Sequence, residues 1–263
     1  MAVETYIEQA QARVRTEQAA SDDLLDGYEA FIRRIRELHA DRTPSSAPGF
    51  TATAGVASPS VNASGPDRCR AVRTAFAETV RPHSVTHVEG TESLLETIRQ
   101  ELSDPIAVAL APTTDASFTP ELKRMVLTEA QSRQSEATAL QSALEREEAD
   151  LEEAGAAVGE ITGWIAETDE TPLTVDGFDA LRQRHQTLAA HRDACGDVAR
   201  NRQRFLAGTT NNGLDAGVRH RSLTQYLYRE FPVDYPVLAT VATLEETLRE
   251  CQRAVRDHVV RRA

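Results

Sequence analysis

Side chains able to do chemistry are few and scattered in this chain. His83 and His87 lie four residues apart, with Glu89 two further on, the spacing of a metal-chelating pair on a helix. Pro82 and Gly90 bracket the stretch, so it reads as a loop, and a third and fourth ligand would have to come from elsewhere. The expectation is exposed loop histidines and no metal site. His191 and Cys195 are also four apart, on a helix that carries His185. Taken as chemistry they form a Cys/His dyad. Taken as packing they sit on a helix seam, because no strand-and-loop scaffold presents the thiol to a cleft. Cys69, Cys195 and Cys251 are too few and too far apart for a zinc motif or a disulfide framework, and are expected as small buried apolar side chains. Neither a Gly-x-Ser-x-Gly elbow nor a glycine-rich phosphate loop occurs. No catalytic residue, cofactor or metal site is therefore expected.

Two sets of residues suit binding instead. Arginines cluster at Arg33, Arg34 and Arg36, at Arg200, Arg202 and Arg204, at Arg219 and Arg221, and at Arg249, Arg253, Arg256, Arg261 and Arg262. Arg249, Arg253 and Arg256 share one helix face that would meet a nucleic-acid backbone. The same residues also complement a helix C-terminus and pair with Glu246 and Glu250. Aromatics concentrate at Tyr226, Tyr228, Phe231 and Tyr235, a candidate partner interface because aromatics with polar tips are favoured there. A packed corner, where two helices turn around Pro232, is the alternative.

Composition limits what the charge can mean. The chain has 263 residues and a net charge of −12, and of its 29 basic residues Lys123 alone is lysine. With 41 acidic residues and 5% aromatics, it resembles proteins of halophilic archaea, whose acidic surfaces hold water and cations; GC-biased coding is the other route to lysine depletion. In molar salt the Debye length falls to about 3 Å, so the acidity concerns solubility rather than steering. Met1-Ala2-Val3-Glu4 lacks a basic leader, and the longest apolar run, Ile106 to Ala111, is far short of a membrane span. A cytoplasmic protein with no membrane partner is expected.

The elements that position these residues are helices. Thr119 caps and Pro120 opens a helix predicted to run unbroken to Thr168, about 48 residues and roughly 70 Å at 1.5 Å rise. Leu140, Leu144, Leu151, Ala154, Val158, Ile161 and Ile165 keep a 3-and-4 spacing interrupted by Glu147, a coiled-coil seam. Leu122 and Val126 belong to an earlier register, which places a stutter between Glu129 and Leu144. The run Glu145, Arg146, Glu147, Glu148, Asp150, Glu152 and Glu153 is expected as a solvated face rather than a docking surface. Gly155, Gly159 and Gly163, four apart, suggest close approach of a neighbouring helix.

A second long pattern covers Met1 to Ala40, either one helix with a weak middle or two joined where Ser21 caps the second. Thr43 to Pro66 contains no charged residue and reads as a linker. Cys69, Val72, Phe76 and Val80 then mark a helix ending before Pro82, and Thr91 caps the next. Asp104-Pro105 opens a short segment whose Ile106, Val108 and Leu110 suggest burial on all sides, as helix or strand. Further amphipathic helices run from Phe178 to Leu206, ending at Gly208, around Leu223 and Leu227, and from Val237 to Val255, with a possible restart at Thr243 and Glu246. Asn211, Asn212, Gly213 and Gly217 supply turn chemistry.

These patterns predict an all-α fold, an antiparallel bundle of long helices with coiled-coil-like seams. Its expected organisation is an N-terminal helix over 1–42, a flexible linker over 43–66 and a helical bundle domain over 67–263. Tyr226-Leu227-Tyr228, Tyr235-Pro236-Val237-Leu238 with Leu244, Leu248 and Cys251, and Phe118-Thr119-Pro120 with Leu122 resemble an uncharacterised family of helical proteins from halophilic archaea. The resemblance brings no activity, cofactor or catalytic residue with it. The expected function is protein contact or scaffolding, as a homo-oligomer or with another protein. A DNA-associated regulator using the C-terminal arginines is the alternative, and a helical metalloenzyme a more distant one.

Overall fold

The computed structural model describes residues 5–41, 65–84, 93–114, 116–210 and 218–262. His87, Glu89, Thr91, most of the linker, Asn211, Asn212, Gly213 and Gly217 lie outside them. The fold is all-α. Eight helices occur among the described residues: α1 (Ile7–Glu37), α2 (Gly65–Thr79), α3 (Leu94–Glu101), α4 (Asp104–Ala109), α5 (Pro120–Asp169), α6 (Phe178–Ala207), α7 (His220–Leu227) and α8 (Pro236–Arg262). A 3-10 turn, Arg81–His83, follows α2. An antiparallel pair of two-residue strands, Thr209–Thr210 with Val218–Arg219, precedes α7.

Caps explain several starts. The Thr119 hydroxyl accepts from the Leu122 N–H at 3.2 Å, and Pro120 follows it into α5. Ser93 caps α3, accepting from Glu96 N–H at 3.3 Å. Segment α4 is a helix rather than a strand, and it is not buried on all sides. Ile106, Ala107 and Leu110 face inward while Val108 is 51% exposed, because one turn of helix cannot hide all its faces against one core. No restart occurs at Thr243, which lies inside α8 and donates to the Ala239 carbonyl.

The chain forms two compact units, residues 1–19 with 139–263, and residues 20–138. Helices α1 and α5 each contribute to both. In the second unit Tyr28, Phe31 and Ile35 of α1 pack with Val72 and Phe76 of α2, Ile98, Ile106, and Leu122, Val126 and Ala130 of α5. Phe31 and Phe76 meet edge to face, centroids 5.6 Å apart. The Tyr28 hydroxyl donates to Glu101 at 2.7 Å. At the end of α1, the Lys123 ammonium donates to the carbonyls of Arg36 and Leu38 at 2.8 and 2.7 Å, closing acceptors that a helix C-terminus leaves open.

In the first unit four helical segments run antiparallel in succession. Gln11 reaches the Leu151 carbonyl, and Arg15 and Gln18 reach Glu148, so α1 runs against α5. Arg184 bonds the Thr168 carbonyl while Arg202 bonds Glu147, so α6 returns along α5. Arg192 binds Glu245 and Gln252, so α8 returns along α6. The core is the predicted seam of α5, from Leu144 to Ile165, with Val14, Leu181, Leu188, Leu244 and Leu248. The two α5 registers thus serve two cores, and the change between them falls where the unit boundary lies, at residues 138 and 139.

Helix α1 is continuous through Ser21, which is buried inside it and caps nothing. The glycine expectation holds at one position of three. A Cβ on Gly155 would come within 3.3 Å of Ile7 and Gln11, whereas Gly159 and Gly163 have nothing within 4 Å, because that side of α5 is exposed. The tighter site is Gly27, where a Cβ would stand 2.6 Å from the Thr79 carbonyl oxygen. Gly27→Ala is therefore expected to destabilise the protein by about 1–3 kcal/mol, as overpacking does. Gly159→Ala should stabilise it by up to about 1 kcal/mol. Denaturant midpoints followed by circular dichroism test the pair; equal shifts of one sign would contradict the packing described.

Candidate functional site

The largest fully buried side chain is that of Arg202, in the first unit, its guanidinium 1% exposed. It occupies a seam position of α6, seven residues after buried Cys195 and four before buried Leu206. Glu147 occupies the matching position of α5, between Leu144 and Leu151, and is 0% exposed. Arg202 Nη2 donates to Glu147 Oε1 at 2.6 Å and Nη1 to Oε2 at 2.9 Å, a bidentate fork. Nη1 also donates to Asp150 Oδ2 at 2.5 Å. The Tyr228 hydroxyl, just past α7, donates to Glu147 Oε1 at 2.6 Å. Arg202 lies 5.0 Å from the centroid of Phe205, and Phe205 stacks on His220 at 4.2 Å, which extends the contact into α7.

The electrostatics follow from burial and charge count. Burial alone would lower the Arg202 pKa, but the hydrogen bonds and charge of Glu147, with those of Asp150, outweigh it and hold the guanidinium charged. Burial, then the charge and hydrogen bond of Glu147, push the Tyr228 phenol up, so it remains a neutral donor. Two carboxylates share one guanidinium. Asp150, its side chain 17% exposed, is the member that solvent reaches, and its pKa is raised by burial despite Arg202, with Glu147 and Glu153 adding to the rise. The cluster binds three elements together and can take up a proton at Asp150. Glu147, Arg202 and Tyr228 are all buried.

The structure rearranges the residues singled out by sequence. Glu147 is not on a solvated face, and Glu148 is tied down as well: the Gln18 amide and Arg15 hold its carboxyl below the usual range. Glu145, Arg146, Glu152 and Glu153 are exposed as expected. Within the aromatic group, Tyr228 is buried and meets Phe231 edge to face at 5.1 Å. Phe231 and Tyr235 are half-buried. Tyr226 is the exposed ring, donating to Glu17 at 2.8 Å beneath Arg229. The His191 ring packs 4.9 Å from that of Trp164, and among the described residues no hydrogen bond joins it to Cys195. Burial, then Glu245, pushes the Cys195 thiol up to about 11, far from a reactive thiolate. His83 Nδ1 stands 4.0 Å from Asp23, and no three metal-binding side chains converge among the described residues. Arg200 pairs with Asp197 and Arg249 with Glu245, while Arg253 and Arg256 are exposed and unpaired among the described residues.

Fold and site define an all-α protein whose polar seam positions close on one another around a buried guanidinium. The chain belongs to the family described as domain of unknown function DUF7260, which matches residues 5–252. No curated protein and no solved structure matches it. Among the described residues no helix is long and apolar enough to cross a membrane.

Arg202→Met strands two carboxylates and is expected to cost about 3–5 kcal/mol, the usual result of breaking a buried ion pair. The E147L/R202M double variant should recover part of that loss, and denaturant unfolding that ranks it below the single variant would contradict the pairing. Asp150 gives a pH dependence. Its folded pKa lies above the ordinary 3.8, so the folded chain binds that proton more tightly than the unfolded one. Its contribution to stability is full below the ordinary value and is lost as pH rises through the folded one. Asp150→Asn should flatten that part of the stability curve; a curve unchanged by the substitution would place the titration elsewhere.

Proposed function

We propose that this protein is a non-enzymatic helical scaffold that works by protein contact in a cytoplasm of high salt. The observation that carries the reading is where its reactive groups lie. The Glu147–Arg202–Asp150–Tyr228 cluster, Cys195 and the His191–Trp164 pair are all engaged between helices, and what faces water is charged helix surface with a few apolar side chains. The hollow between α6 and α8, about 310 Å³, is lined by the paired Arg192 and Glu245 with Cys195, Leu238 and Val241, and hollows of about 590 and 380 Å³ in the second unit lie beside Leu38 and Arg70 and beside Ile32 and Arg36. The 3-and-4 apolar spacing of α1 and α5 supports rod-on-rod contact. The near absence of lysine, with 41 acidic residues, supports the halophilic setting.

A DNA-associated role draws on one observation, Arg253 and Arg256, exposed and unpaired among the described residues. One experiment separates the readings: capture of the tagged full chain from lysate kept at native salt. A protein recovered in near-stoichiometric amount, whether a second copy or another chain, is expected. Recovery of nucleic acid instead, lost in the R253A/R256A variant, would move the assignment to DNA. Recovery of neither would overturn both.

A further inference from the structure

Six large apolar side chains are exposed among the described residues, and three of them, Val175, Phe178 and Val260, belong to one end of the first unit. Hydrogen bonds and packing fix this placement. Arg184 donates to the carbonyls of Thr168 at 2.7 Å and Thr171 at 3.2 Å and pairs with Asp176 at 3.4 Å, which pins the α5–α6 turn against the end of α5. Gln252 reaches the His185 carbonyl at 3.5 Å, so the last turns of α8 come level with the first turns of α6. Leu173 of the turn and Val259 of α8 pack on the same core.

Phe178 is the telling residue. It stands seven residues before His185 and fourteen before Arg192, on the stripe of α6 that faces α8, yet it is 52% exposed. Val175 and Val260 are 74% and 75% exposed. Charge at this end is divided between helices. Val260 shares an α8 face with Arg253 and Arg256, spaced three and four apart and both exposed and unpaired among the described residues; Asp257 is exposed beside them, and with Arg261 the last turns stay net positive. The last turns of α5 carry Glu160 and Glu167, exposed and likewise unpaired among the described residues. An apolar centre with net positive charge on one helix and carboxylates on another is self-complementary under a two-fold rotation that sets the arginines of each copy against the glutamates of the other.

We propose that this end of the unit is a self-association surface whose occupant is a second copy of the chain, packed through Phe178, Val175 and Val260. The inference deepens the protein-contact reading and rests on it. Light scattering after size exclusion, on the full chain in dilute and in molar KCl, tests it. The wild-type chain should be a dimer. Phe178→Glu and Val260→Glu should each weaken the dimer at least about tenfold, as loss of an interface anchor does. An acidic residue in the first turn of α6 favours the helix, so the F178E variant should keep its circular dichroism and remain interpretable. R253E/R256E should weaken the dimer, and adding E160R/E167R should restore it. A monomer at high concentration, or a dimer indifferent to F178E and V260E, overturns the proposal. If capture then brings down a different protein, the protein-contact reading stands while this one falls; if it brings down nothing, both fall.

Discussion

One desolvated guanidinium constrains the first unit more than any apolar contact does. Taking Arg202, Glu147 and most of Asp150 out of water costs several kcal/mol per ion, which only near-ideal geometry offsets. An apolar seam tolerates sliding by a repeat, because one leucine replaces another. A buried arginine that must meet two carboxylates does not. The bidentate fork therefore fixes the register of α6 against α5, and the Tyr228 hydroxyl carries the same constraint to the corner beyond α7.

How far this was legible in the sequence depends on the range of the signal. Helix α5 was plain from Thr119, Pro120 and an apolar spacing that local chemistry enforces, and α6 and α8 were plain for the same reason. Two registers on one helix could be read as a stutter, yet nothing local says that each belongs to a different core. Glu147 was visible as a polar interruption in a seam. Its partner lies 55 residues away in a helix that carries five other arginines, so only the matching polar gap in the α6 seam hinted at it. Asp150 and Tyr228 carried no such mark, being grouped with a charge run and an aromatic run whose members point different ways. Val108 shows the limit of composition: an unbroken apolar run does not say which side chain a single turn will leave in water.

The ion pairs fall into two physical classes. Pairs such as Arg34–Glu78 and Arg99–Asp104 are exposed, and concentrated salt screens them within a few ångströms. The Arg202 cluster is dry and is not screened in this way. If the setting is highly saline, the surface charges act mainly through hydration, and specificity of packing rests on the few ions that salt does not reach.

The lone lysine has a chemical corollary. Two of the three N–H bonds of Lys123 are committed to the carbonyls of Arg36 and Leu38. Any modifier that joins proteins through a side-chain amine has a single address on this chain, and occupying it unseals the end of α1. Conjugation at that nitrogen and fraying of the helix terminus are therefore one event.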